Sequence, residues 1–197
     1  MTWVKICGLT RREDVEVAVS AGADAIGLIM VPGTPRALSV ADAAELARGV
    51  TAQTILLTRD LDPEAIVAAA LATGVDGVQP YGEYVEEAAA AAAAAGLVVI
   101  RPVNRSDPAS IPAGQLLLFD SESPEGLGGT GERRDPTSIP AVDRPFILAG
   151  GLSAENVGEA VRKVRPYGVD ASSRLEIRPG VKHHDLVRSF VAGAKNA

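Results

Sequence analysis

The chain is short of several things, and each shortage removes a class of function. Among its 197 residues there is one cysteine, Cys7, and there are two histidines, His183 and His184. One thiol forms no intrachain disulfide, and one cysteine with two histidines is a poor zinc set. A reducing cytoplasm is the expected compartment. Positive charge is also in deficit: Lys plus Arg total 19 against 25 for Asp plus Glu, a net charge of −6. An acidic surface argues against nucleic acid or an anionic membrane as the main partner, though a local basic pocket for a small anion remains compatible with it. No apolar run approaches the ~18 residues that span a bilayer. Lys5 and the turn at Gly8 interrupt the opening stretch, so no exported leader is expected there.

What the chain does have is apolar bulk, 47% of its residues, which fits one domain over residues 1–197 with a sizeable core. Short runs rich in Val, Ile and Leu recur at 3–7, 25–30, 54–58, 77–79, 97–103, 115–120, 146–150 and 168–172. Most are apolar on successive residues, the pattern of parallel strands covered on both faces. Helical spacing separates them: Val15, Ala18, Val19 and Gly22; Val157, Ala160, Val161 and Val164; and Val187, Phe190, Val191 and Ala194. Eight consecutive alanines fill 88–95, after Glu86 and Glu87 and before Gly96. Acids near one end and a glycine stop at the other predict a thin helix lying close to its neighbours.

Eight strands at about 25 residues per strand-plus-helix unit predict an α/β chain folded as a single (β/α)8 TIM barrel. A doubly wound open sheet is the runner-up, because it uses the same alternation. The fifth crossover, 104–114, holds Pro108 and Pro112, so a loop or one short helical turn is expected in place of a full helix. Both a monomer and a homodimer are compatible with such a barrel.

In barrels of this kind the site is built from the carboxyl ends of strands. Cys7 closes the first strand; a core residue by composition, it is a candidate base by position. Lys5, two residues earlier, points to the same side, where its ammonium would lower the thiol pKa. Asp120 closes the sixth run, either as a cap or as an acid. Strands one and six stand three apart around an eight-stranded ring, so their ends face each other across the mouth.

Gly126, Gly128 and Gly131 spell G-x-G-x-x-G, but a dinucleotide site needs those glycines in the strand-to-helix turn. They begin six residues after the strand, so Gly128 and Gly129 are read instead as part of a lid over the substrate. Gly150 and Gly151 follow the seventh strand, with Ser153 placed to cap the next helix. Ser172, Ser173 and Arg174 follow the eighth. Together these two exits predict a phosphate site. Arg36 is either a solvated charge or a bidentate grip on a substrate carboxylate. The two histidines are read as solvent-facing or turn residues.

These residues, in order, carry a family likeness. VKICGLTRREDVEVAVSAGADAIGLI, the TPR ending at Arg36, LLLFDS, GGTG, ILAGGLSAENV, and VDASSRLE with PGVK resemble phosphoribosylanthranilate isomerase over nearly the full length. The resemblance implies a cofactor-free and metal-free Amadori rearrangement of a phosphorylated small molecule, N-(5-phosphoribosyl)anthranilate. It implies Asp120 as general acid, Cys7 as general base and Arg36 on the anthranilate carboxylate. Gly150, Gly151, Ser172 and Ser173 would hold the phosphate, with Arg174 beside them, and Asp170 would lie near the substrate nitrogen or Arg36. Lys5, Gln79 and Tyr81 complete the expected substrate contacts.

Four stretches depart from the family pattern. Tyr81 stands in Gln79-Pro80-Tyr81-Gly82 where a histidine is usual, and Arg174 takes a glycine position. His183 and His184 interrupt a Lys-Asp pair, and Thr58-Arg59-Asp60 replaces a more apolar strand end. All four are expected at the pocket rim. They keep two alternatives in view: an isomerase of another aminoaldose, or a barrel that binds a phosphorylated ligand without turning it over.

Overall fold

Each of the eight apolar runs becomes a strand of one sheet in the computed structural model, which describes residues 1–103, 107–120 and 142–197. The strands are β1 (Trp3–Cys7), β2 (Ala25–Met30), β3 (Gln53–Arg59), β4 (Gly77–Tyr81), β5 (Val98–Pro102), β6 (Leu116–Phe119), β7 (Phe146–Leu148) and β8 (Gly168–Ala171). They close in chain order into a parallel barrel, with β1 paired to both β2 and β8. Closure excludes the open doubly wound sheet.

Alternation along each strand separates two cores. Val4, Ile6, Ile26, Leu28, Leu56, Val78, Val99 and Val169 face outward and join the helices in the main apolar cluster. Ala25, Ile55, Ile100, Leu118 and Ile147 form a second cluster inside the ring, with Trp3 and Leu116 packed against it. The inward register of β1 is therefore Trp3, Lys5, Cys7. The interior is apolar near the strand starts and polar near their ends, and that gradient creates the site.

The helices follow the expected chemistry. α1 (Arg12–Ser20) precedes β2, and α2 (Val40–Ala47) starts where Ser39 accepts a bond from Asp42 N. α3 (Pro63–Thr73) has Asp62 accepting from Ala65 N, a proline in its first turn, and Gly74 at φ 68° as its left-handed stop. The alanine tract forms α4 (Val85–Ala94), which buries Ala88, Ala89 and Ala92. Alanine has the best helix propensity, and Glu86 and Glu87 complement the N-terminal dipole. Methyl side chains let this helix lie close to β4 and β5, which it contacts.

α5 (Val157–Val164) and α6 (His184–Lys195) bury the two later stripes. In the first stripe Gly22 falls past the end of α1, in a turn at φ 95°, so that stripe is one residue shorter than its spacing suggested. Among the described residues the fifth crossover contains one 3₁₀ turn, Pro108–Ser110, capped by Asp107. One element was not foreseen: a small hairpin, β9 (Glu176–Arg178) and β10 (Val181–Lys182), between β8 and α6. No helix in the described part is long and apolar enough to cross a membrane.

Candidate active site

The inward positions at the strand ends line one pocket that opens at the barrel mouth. Cys7, Arg36, Gln79, Tyr81, Asp120, Gly150, Gly151, Asp170, Ser172, Ser173 and Arg174 all border it. Lys5 lies one layer deeper, fully buried. Gly128 and Gly129, with the expected lid, lie outside the described residues. Period-two alternation explains the convergence, since Cys7 follows Lys5, Tyr81 follows Gln79, and Ser172 follows Asp170 on the same face.

Cys7 is 4% exposed. Gly27 on β2 makes room for it, because a Cβ there would stand 2.7 Å from Cys7 Sγ. Lys5 Nζ donates to Asp170 Oδ2 at 2.7 Å, so the expected ammonium beside the thiol is present but already paired. Burial pushes the Cys7 thiol above its ordinary value; Lys5 and Lys182 oppose that shift, and Asp170 reinforces it. The expectation of a lowered thiol pKa is thus corrected: desolvation outweighs the ammonium. Burial also works to lower the Lys5 pKa, but Asp170 and Cys7 overcome it and hold the lysine charged.

Asp120 lies one residue beyond β6, 9% exposed, on the arc of the ring away from Cys7. Tyr81 does not sit at the rim. It ends β4, buried, and accepts a 2.8 Å bond from Gln79 Nε2. Burial, with Asp120 nearby, pushes its phenol well above the ordinary value, so the tyrosine is neutral. Gln79 Oε1 and Asp170 Oδ1 are buried acceptors without a hydrogen-bond partner among the described residues. Two such acceptors bordering one pocket suit a ligand that brings N–H or O–H groups.

At the other end, Gly150 and Gly151 have φ of 86° and 65°, a left-handed pair that only glycine adopts without strain. Ser153 does not cap α5, which starts at Val157 with Asn156 before it. Ser153 N instead donates to Asn156 Oδ1, and Ser153 Oγ accepts from Glu155 N within the intervening turn. After β8, Ser173–Leu175 form a 3₁₀ turn, and Arg174 is exposed between the main pocket and a recess lined by Gly151, Ser153 and Asn156.

Arg36 is not a solvated charge. Its Nε and Nη2 donate to the two carboxylate oxygens of Glu176 at 2.8 and 2.6 Å. Glu176 was missed in the sequence, as was Lys182, whose Nζ donates to Glu176 Oε1 at 2.8 Å and to Ser172 O at 3.1 Å. Of the two expected neighbourhoods for Asp170, its hydrogen-bond partner among the described residues is Lys5. One histidine also has work in the fold: His184 Nε2 lies 2.8 Å from Asp14 Oδ1, and Asp14 Oδ2 accepts from Lys182 N, while His183 is exposed as expected. Among the described residues no group of three His, Cys, Asp or Glu side chains is arranged to hold a metal.

A carboxyl, a thiol and a neutral phenol beside a turn with two left-handed glycines are groups suited to proton transfer on a small anionic substrate. Comparison with known proteins bears on which substrate. The chain is 41% identical to the N-(5'-phosphoribosyl)anthranilate isomerase of Haloferax volcanii, covering 100% of this chain and 95% of that protein. It superposes on phosphoribosyl anthranilate isomerase from Thermotoga maritima with a TM-score of 0.87 at 34% identity, covering all of both chains. A further phosphoribosyl anthranilate isomerase, solved with reduced 1-(o-carboxyphenylamino)-1-deoxyribulose 5-phosphate, matches over both full chains with a TM-score of 0.84 at 31% identity. The sequence pattern of N-(5'phosphoribosyl)anthranilate (PRA) isomerase matches residues 4–193, and the chain belongs to that family.

Proposed function

We propose that residues 1–197 act as one barrel domain in which Cys7 is the general base and Asp120 the general acid of this isomerase. The reaction converts N-(5-phosphoribosyl)anthranilate to 1-(2-carboxyphenylamino)-1-deoxyribulose 5-phosphate. Asp120 gives a proton to the furanose ring oxygen as the C1′–O bond breaks and the anilino nitrogen lone pair forms the C=N bond. In its thiolate form, the minor form near neutral pH given the raised thiol pKa, Cys7 then removes the C2′ proton, and the electron pair flows back to nitrogen to give an enolamine. Tautomerisation moves the 2′-hydroxyl proton and delivers one to C1′, leaving the ketone. Proton exchange with solvent then returns Cys7 to the thiolate and Asp120 to the acid, and no cofactor is consumed.

The observation that carries this reading is the convergence of Cys7 and Asp120 on one pocket from strands three steps apart in a closed ring. Around that pair, Arg36 takes the anthranilate carboxylate with the N–H groups that Glu176 leaves unused. Asp170 Oδ1 accepts from the substrate N–H, and Gln79 with Tyr81 walls the ring. Gly150, Gly151, Ser172, Ser173 and Arg174 take the phosphate, and Gly128 and Gly129 belong to the covering loop. A cytoplasmic setting, where one thiol stays reduced, and a monomeric or homodimeric assembly belong to the same proposal.

The test is rescue of a tryptophan auxotroph that lacks this step, together with turnover of purified protein. Wild type restores growth, while Cys7→Ser and Asp120→Asn each lower kcat by roughly 10²–10⁴-fold. Full activity in Asp120→Asn would overturn the acid assignment, and full activity in Cys7→Ser the base assignment.

A further inference from the structure

We infer that Glu176 is a positioning residue that aligns both ends of the substrate, by fixing the Arg36 guanidinium and, through Lys182, the turn that follows β8. The inference rests on the reading of Arg36 as the carboxylate holder.

The geometry is specific. Glu176 meets Arg36 along a fork-to-fork edge, with each carboxylate oxygen taking one N–H. That arrangement fixes the plane of the guanidinium as well as its position. Oε1 of the same carboxylate also accepts from Lys182 Nζ, which donates in addition to the main-chain oxygen of Ser172. The Glu176 and Lys182 side chains are 3% and 0% exposed, so solvent screens that pair little, while Arg36 is partly open to the pocket.

Gly8 completes the arrangement, because a Cβ there would lie 2.6 Å from Arg36 Cδ and 2.9 Å from Ser172 Oγ. Arg36 and Ser172 therefore pack over a residue without a side chain, at φ 73°.

Charge explains why one acid serves two bases. Arg36 and Lys182 bring two positive charges and Glu176 brings one negative charge, so the cluster keeps one positive charge beside the pocket. An anionic substrate group meets a cation that is already oriented. Without Glu176, Arg36 would be free to rotate, and the buried Lys182 would stand beside a second, partly exposed cation without compensation. Because Lys182 ties Glu176 to Ser172 O, a displaced carboxylate also loosens the turn that carries Ser172 and Ser173. Glu176 is thus a strut between the aryl-carboxylate end of the substrate and its phosphate end.

The experiment compares two substrates, N-(5-phosphoribosyl)anthranilate and its aniline counterpart without the carboxylate, in wild type, Glu176→Gln, Glu176→Asp and Arg36→Ala. Inorganic phosphate serves as a competitive inhibitor that reports the other end. Glu176→Gln is expected to raise KM about tenfold or more for the carboxylated substrate while kcat changes about threefold or less. The preference for the carboxylated substrate falls by the same factor, and inhibition by phosphate weakens.

Glu176→Asp keeps the charge but is one methylene short. It is expected to fold and to show the same loss of preference in smaller measure, and it carries the test if Glu176→Gln does not fold. If Arg36→Ala abolishes the preference while both Glu176 variants keep it, the positioning role is wrong and the reading of Arg36 stands. If Arg36→Ala keeps the preference, the reading of Arg36 fails first. Unchanged phosphate inhibition in both Glu176 variants would sink the link to the phosphate end.

Discussion

Lys5 and Asp170 are register partners across the β1–β8 seam, and their side chains form a 2.7 Å ion pair buried one layer beneath the thiol of Cys7. The pair closes the barrel and sets the field at the thiol. Removing one partner leaves an uncompensated charge inside the ring. Lys5→Met is therefore expected to destabilise the fold by about 3–5 kcal/mol in urea unfolding, and a loss under about 1 kcal/mol would contradict the pairing.

The same pair has opposite effects on Cys7. Lys5 lowers the thiol pKa and Asp170 raises it, while burial sets the net direction upward. Because Cys7 is the only cysteine, its alkylation by iodoacetamide reports this one group without background. The midpoint of alkylation rate against pH is expected above the ordinary thiol value of about 8.5. It moves lower in Asp170→Asn and higher in Lys5→Met. Equal displacement of both variants in one direction would refute the assignment of the two effects.

Gly27 is expected to tolerate no side chain. An added Cβ would meet Cys7 at Sγ, 2.7 Å, and at the backbone Cα, 3.0 Å, so the thiol cannot simply swing aside. Gly27→Ala is expected to cost about 1–3 kcal/mol by overpacking. It should also lower kcat at least about tenfold by displacing the proposed base, measured by steady-state turnover. A variant with unchanged kcat would show that the thiol position does not matter to the reaction.

Acid should expose the Glu176 cluster. Burial works to raise the Glu176 pKa, but the bonds from Arg36 and the charge of Lys182 overcome it, leaving the carboxyl below its ordinary value. A carboxyl lowered in the fold contributes stability above its unfolded pKa and loses it as pH falls through the folded value. Between about pH 5 and pH 3, wild type should therefore lose melting temperature more steeply than Glu176→Gln, followed by thermal circular dichroism. Parallel curves would show that the carboxylate is not held by its partners.

The sequence is most readable where one strand decides the outcome. Runs such as Ala25–Met30 are apolar on both faces, and that alone marks a buried parallel strand. Cys7 and Asp120 stand out because each ends such a run, at the place where barrels keep their sites. What escaped reading depends on partners far along the chain. Glu176 sits among Arg174, Arg178 and Lys182 and looks like one charge of a solvated loop, yet its partner Arg36 is 140 residues away. The raised Cys7 pKa escaped for a related reason. The neighbouring Lys5 is visible in the sequence, but the degree of desolvation exists only after closure. Ser153 misled because Asn156, three residues on, is the residue beside the true helix start.

Closure of β1 onto β8 also dictates when the enzyme comes into being. Lys5–Asp170, Asp14–Lys182, Asp24–Lys195 and Arg36–Glu176 span separations of 165, 168, 171 and 140 residues, and each joins the first 36 residues to the final 28. A nascent chain halted before β8 holds the cysteine but neither the seam that encloses it nor the acid that orients Arg36. The site is therefore a product of long-range contacts, whose loop-closure entropy must be met before the thiol is enclosed and Arg36 is oriented.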